Sequence, residues 1–345
     1  MTVLIGEPFG RFGAMLPVGH IAIYLDRVCA DGPLRLRMCR PGEPAGVVIA
    51  RYHRIGQTDW IATPIMEFLY ATEHPEEIPA YATPELVSAL RKQYREQYLS
   101  ELVPDGRENS KAFSEWLETV GVSYDRRVWG YELATSRAQD EQLVAFLNGR
   151  PNKHIYRLRK RNCANFAAGI INFYFPGAIA GADRLADFGV MTPKHVARLV
   201  YEYGMTHPET ELKAIQIPQV AGSFHRSRPV RNGAEAGLKT KRYLVALSLL
   251  QPEALAGLLV LYLEDGRWEI GAGSCVEGPD FFQRSFPQID PASFASIAKL
   301  DAFPFAPEAQ AQERELTGLP CLKSMAEPAT HCETQDVWYF LSSSK

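Results

Sequence analysis

A cysteine placed on the first turn of an apolar helix constrains this chain more than any other feature. Arg161-Asn162-Cys163-Ala164-Asn165-Phe166 follows a basic alternating stretch at 155–161 and leads into an apolar run at 167–175 that stops at Pro176-Gly177. Asn162 suits an N-cap, because its side chain can accept a first-turn N–H, and this puts Cys163 at the helix start. Unpaired N–H groups and the positive end of the helix dipole favour a thiolate there, and Arg159, Lys160 and Arg161 add to that field. A thiolate is the nucleophilic form of cysteine, so the position suits covalent catalysis. The structural alternative is a small buried core residue.

Such a nucleophile needs a base. Gly19-His20 opens Ile21-Ala22-Ile23-Tyr24-Leu25, a run of β-branched and aromatic residues that predicts a strand. Its period of two puts His20, Ala22 and Tyr24 on one face and Ile21, Ile23 and Leu25 on the other. Gly19 leaves space where another group approaches the imidazole.

These two segments together resemble the circularly permuted papain-like enzymes, which include lecithin retinol acyltransferase-like proteins and bacterial relatives of the NlpC-type cell-wall hydrolases. Members carry a histidine on an early strand and a cysteine at the start of a later helix, within Asn-Cys-x-x-Phe. The order here, His20 and then Cys163, is the permuted one. The resemblance spans about residues 15–205, and its specificity lies in the two short motifs. It implies an α+β fold with an antiparallel sheet packed on the cysteine-bearing helix, Cys163 as nucleophile and His20 as general base. Lecithin retinol acyltransferase-like members place a second histidine on the next strand, whereas 34–40 here holds none. Glu43, His53 and Asp59 are the nearest polar substitutes, and the third member stays open among them.

Length and composition set outer limits. A chain of 345 residues predicts about two domains. A net charge of −3 excludes a globally basic nucleic-acid binder, and the basic cluster at 157–161 is too short to change that. Six cysteines in this length do not make a disulfide scaffold. Cys29 and Cys39 flank a turn at 30–33 and are candidates to face each other across a hairpin; Cys321 and Cys332 form another local pair, leaving Cys275. Reduced, scattered thiols are the expectation. Zinc on Cys321, His331 and Cys332 lacks any Cys-x-x-Cys or His-x-x-x-His spacing, so neither metal nor cofactor is expected.

The segment 1–9 has no basic n-region or cleavable apolar core, which predicts a cytoplasmic protein on this sequence, or an exported one if the start lies upstream. The apolar stretch 243–263 is broken by Gln251-Pro252-Glu253. A central charge costs roughly 2.5–3.5 kcal/mol on insertion scales, so two soluble elements are expected rather than a transmembrane segment. Asp265-Gly266 marks a hairpin between 258–263 and 267–270.

In order, 3–60 is expected to be a meander of strands, with Pro64 starting a helix near Ile65. A helical insertion at about 83–148 follows. Its first helix starts at Thr83-Pro84-Glu85, with Leu86, Leu90, Tyr94, Tyr98 and Leu102 as its apolar face. A second follows Asn109-Ser110 to Gly121, and a third starts near Ser136 and buries Leu143, Phe146 and Leu147. Thr192-Pro193 caps a helix to Tyr203; His195, on that helix, is an alternative base, whereas His154, nearer to Cys163 in sequence, is expected to be separated from it by a strand leading to the helix. The expected division is a catalytic domain at 1–205 and a C-terminal accessory region of strand and loop at 206–345. The functional expectation is a cysteine hydrolase, an amidase or peptidase acting through a thioester on a small-molecule, peptide or acyl substrate. Its alternatives are a lipid-directed thiol acyltransferase and a non-catalytic ligand-binding protein on the same scaffold.

Overall fold

The computed structural model describes residues 1–7, 19–43, 46–52, 55, 58–102, 119–153, 156–157, 160–181 and 190–224, with isolated positions from 249 to 276. The fold is α+β. Strands β1 (Thr2–Gly6), β2 (His20–Leu25), β5 (Val47–Ala50), β6 (Ile61–Pro64), β7 (Val128–Glu132), β8 (Lys213–Ile217) and β9 (Cys275–Val276) form one seven-stranded sheet in the order β6-β5-β2-β1-β7-β8-β9. Every pairing is antiparallel except β8 with β9. A separate hairpin joins β3 (Val28–Ala30) to β4 (Leu36–Met38).

Helices cover the sheet on both sides. Val3, Ile5, Ile21, Ile23, Leu25, Ile49, Trp129 and Tyr131 pack with α4 (Arg137–Asn148), α5 (Cys163–Tyr174) and α6 (Pro193–Thr206) on the first face. Leu4, Ala22, Tyr24, Val48, Ala50, Val128, Ile215 and Ile217 pack with α1 (Ile65–Tyr70), α2 (Pro84–Tyr98) and α3 (Val122–Asp125) on the second. Antiparallel sheets often keep one face in water and then alternate polar with apolar. Here neither face is wet, so β1, β2 and β5 are nearly continuous apolar runs.

The helix starts follow local chemistry. Thr83, Ser136, Asn162 and Thr192 each accept a first-turn N–H through the side chain. On α2 the buried residues are Val87, Arg91 and Tyr94, while Leu86 and Tyr98 are exposed, so the face is rotated from the one expected. Arg91 sets that rotation. Its Nε donates to Val120 O at 3.0 Å, its Nη2 donates to Gly121 O at 2.8 Å, and the guanidinium is paired with Asp125. On α4, Leu143 and Leu147 are buried as expected, but Phe146 is exposed beneath the Arg150 guanidinium, 3.8 Å from the ring centroid.

Other expectations need correction. Just before α5, Arg157 and Arg161 pair with each other, with Arg161 N donating to Arg157 O at 2.7 Å, whereas 155, 158 and 159 of the basic stretch lie outside the described residues. The insertion at 83–148 contains β7, a central strand, and β8 lies beyond the boundary expected at 205, so that boundary cuts the sheet. Cys29 and Cys39 are joined by a disulfide rather than reduced. The expected second helix falls mostly on 103–118, outside the described residues, as do Cys321, Cys332 and the hairpin signal at Asp265-Gly266. Among the described residues no helix is long and apolar enough to cross a membrane.

Removing Arg91 leaves Asp125 buried without its cation, which typically costs about 3–5 kcal/mol. Urea unfolding of Arg91→Ala is expected to show a loss of that order, and a loss below about 1 kcal/mol contradicts the assignment. Glu67, half-buried on α1, has its carboxyl pushed up to about 7 by burial and then by the charges of Glu73 and Glu77. The folded state therefore keeps a proton that the unfolded chain loses near pH 4.3, so stability falls as pH rises from roughly 4.3 to 7. Glu67→Gln is expected to flatten that fall in urea titrations run across the same pH range.

Candidate functional site

Cys163 is the first residue of α5, is buried and is in no disulfide. Its helix start is closed reciprocally. Asn165 N donates to Asn162 Oδ1 at 2.8 Å, and Asn162 N donates to Asn165 Oδ1 at 3.2 Å. Asn162 Nδ2 also donates to Met191 O at 2.8 Å, just ahead of the Thr192 cap of α6. One side chain thus caps α5 and ties the starts of both helices together.

A cation lies on this first turn. Arg51 follows β5, its Nη1 donates to Asn162 O at 3.3 Å, and its guanidinium stands 5.2 Å from the Phe166 ring centroid. Its Nη2 pairs with Asp59 Oδ1 at 2.7 Å, and its Nε donates to Asp59 O at 3.3 Å. Asn152 holds this loop, accepting from Asp59 N at 2.9 Å and Trp60 N at 3.0 Å and donating to Trp60 O at 2.9 Å. Nearby at the end of β1, Glu7 is buried and accepts from Trp129 Nε1 at 2.9 Å, and the Arg127 guanidinium is 5.6 Å from the centroid of that indole.

His20 begins β2 opposite Gly6 of β1 and is buried. Gly19 has φ +78°, so its glycine serves the left-handed turn into the strand as well as any space near the ring. The alternation along β2 is the one expected, and it sends His20 to the side of Leu4 and Ala22. There it lines a small cavity with Gly6, Phe68, Val122 and Arg126, and its ring stacks on Tyr52 with centroids 5.0 Å apart. Gly6 is required by the crowding on that side, since a Cβ there would stand 2.6 Å from Arg126 Cδ. Cys163 belongs to the first face and His20 to the second, so the two expected partners share an end of the sheet but not a face.

The other candidates are dispersed. Glu43 is bound to Arg37, with Oε2 at 2.6 Å and Oε1 at 3.0 Å from its guanidinium nitrogens, and it accepts from Arg40 N at 2.8 Å. Arg37 and then Arg40 hold its carboxyl down at about 2, so it braces the disulfide hairpin as an anion. Asp59 is brought to the Cys163 turn, through Arg51. His53 and His154 lie outside the described residues. His195, on the first turn of α6, shares a 2.8 Å hydrogen bond between Nε2 and Gly181 O. Among the described residues no group of three or more His, Cys, Asp or Glu is placed to hold a metal ion.

Arg51 and Glu7 were not singled out from the sequence. Each stands directly after an apolar strand, in step with Ile49 and Ile5, where alternation continues the inward face; that is the signal that could have found them. Comparisons with protein-family models, with curated proteins and with solved structures give no match.

Asn162→Ala removes the cap of α5 and its tie to Met191. It is expected to cost about 1–2 kcal/mol in urea unfolding, with Asn162→Asp less damaging because a carboxylate still accepts the first-turn N–H.

Proposed function

We propose that this protein is a cysteine-dependent hydrolase, an amidase or peptidase, with Cys163 as its nucleophile. The observation that carries the reading is a cysteine outside any disulfide on the first turn of a capped helix, with the guanidinium of Arg51 at the same turn. Helix N-termini and nearby cations stabilise thiolates. The thiolate attacks the acyl carbon, the tetrahedral oxyanion is met by N–H groups of the first turn of α5, and the C–N or C–O bond breaks to leave a thioester. Water then cleaves the thioester and restores the thiol. The permuted papain-like resemblance gives the base role to His20, which takes the thiol proton and returns it to the leaving group.

A second reading, a ligand-binding protein that keeps the scaffold without the dyad, is supported by the lack of a histidine at 34–40, where lecithin retinol acyltransferase-like members place the one that orients the base. Alkylation of Cys163 by iodoacetamide, followed by mass spectrometry from pH 4 to 10, separates the two. The hydrolase reading expects a reactive thiol with a midpoint well below the roughly 8.5 of free cysteine. A rise of that midpoint in His20→Ala establishes the dyad. A low midpoint indifferent to His20 keeps the nucleophile and removes His20 as its base. A thiol inert throughout overturns the hydrolase and leaves the binding scaffold.

A further inference from the structure

We infer that Arg51, steered by Asp59, is the positioning residue that sets the ionisation of the Cys163 thiol. The inference rests on the hydrolase reading and adds to it a residue outside both motifs. Arg51 touches the residue before Cys163, at the Asn162 carbonyl, and the residue three positions after it, at the Phe166 ring. The cation is therefore laid along the turn that carries the thiol. Its other donors are committed to Asp59, through the carboxylate and the backbone carbonyl. Both side chains are largely buried, at 11% and 16% exposure, so water screens the pair weakly.

Asp59 is held in turn. Asn152 grips the Asp59 and Trp60 backbone with three hydrogen bonds, so the carboxylate is presented by a fixed loop. A planar guanidinium can bond Asp59 on one edge and reach the helix with the other, which an ammonium cannot do in the same geometry. Asp59 then has two opposed effects. It orients the cation, and its negative charge offsets part of the field at the thiol.

Among the described charged groups at this end of the first face, Glu7 is bonded to Trp129, Arg127 stands over the Trp129 ring, Arg161 pairs with Arg157 through the backbone, and His195 is bonded to Gly181 O. Lys160 has its backbone N bonded to Arg157 O, and His20 is on the opposite face. Arg51 is in contact with both Asn162 and Phe166.

Charge and mere bracing differ in sign. The iodoacetamide midpoint of Cys163 is measured in the full chain for wild type, Arg51→Gln, Arg51→Lys and Asp59→Asn, with circular dichroism confirming that each is folded. Arg51→Gln removes the cation and bares Asp59, and is expected to raise the midpoint by about one pH unit or more. Arg51→Lys is expected to fall between wild type and the glutamine variant. Asp59→Asn removes the offsetting anion, while its Oδ1 and the backbone carbonyl still accept from Arg51 and keep the cation oriented, so the midpoint is expected to fall. A purely structural ion pair moves Arg51→Gln and Asp59→Asn in the same direction, or moves neither, and either result overturns the inference. A reactive wild-type thiol with unmoved midpoints overturns the inference alone, whereas an inert wild-type thiol overturns it together with the hydrolase reading.

Discussion

The structure depends on a sheet that is buried on both faces. Each apolar side chain removed from water contributes on the order of 1.5–3 kcal/mol, and β1, β2 and β5 collect that contribution from both sides. The same burial makes every polar group in or beside the sheet costly unless it has partners. Polar residues therefore gather where the strands end. His20, Glu7, Arg51 and Arg126 are all at the edge where β1 and β5 finish and β2 begins, and each is at least largely buried.

Helices are held to this sheet by a few oriented polar contacts as well as by apolar packing. Arg91 turns α2 by reaching two carbonyls and Asp125 at α3. On the other face, Asp140 of α4 accepts from Arg27 Nε at 2.6 Å and from Tyr174 OH at 2.7 Å, joining α4, α5 and the strand region near β3. Burial and the Asp140 contact push the Tyr174 hydroxyl well above its ordinary range, so it remains a donor. Such contacts add little net stability over apolar packing, but they favour one orientation among several that the apolar surfaces alone would accept.

The start of α5 is the place where these constraints meet chemistry. Asn162 caps its own helix and the backbone leading into α6 at once, and Arg51 and Asp59 bring charge from β5 and the loop beyond it. The Cys163 turn is thus built from four separated parts of the chain. Rigid support of that kind is what holds a reactive group in a fixed geometry.

Much of this was legible in the sequence, because its causes are local. The Asn162 cap and the helix behind Cys163, the helix start at Ile65 after Pro64, the Thr83, Ser136 and Thr192 caps and the alternation of β2 all follow from a few neighbouring residues. What failed was non-local. β7 and β8 take their identity from pairing with β1 and with each other, and the buried face of α2 from an aspartate far along the chain. Alternation separates His20 from Ile21 in any register, but only packing decides which side receives α5. The sequence determined which residues share a face; the tertiary structure decided that the Cys163 turn lies on the first face with Arg51 at Asn162 and Phe166 while His20 lines the second-face cavity with Arg126, because a sheet with two apolar faces offers a helix either side.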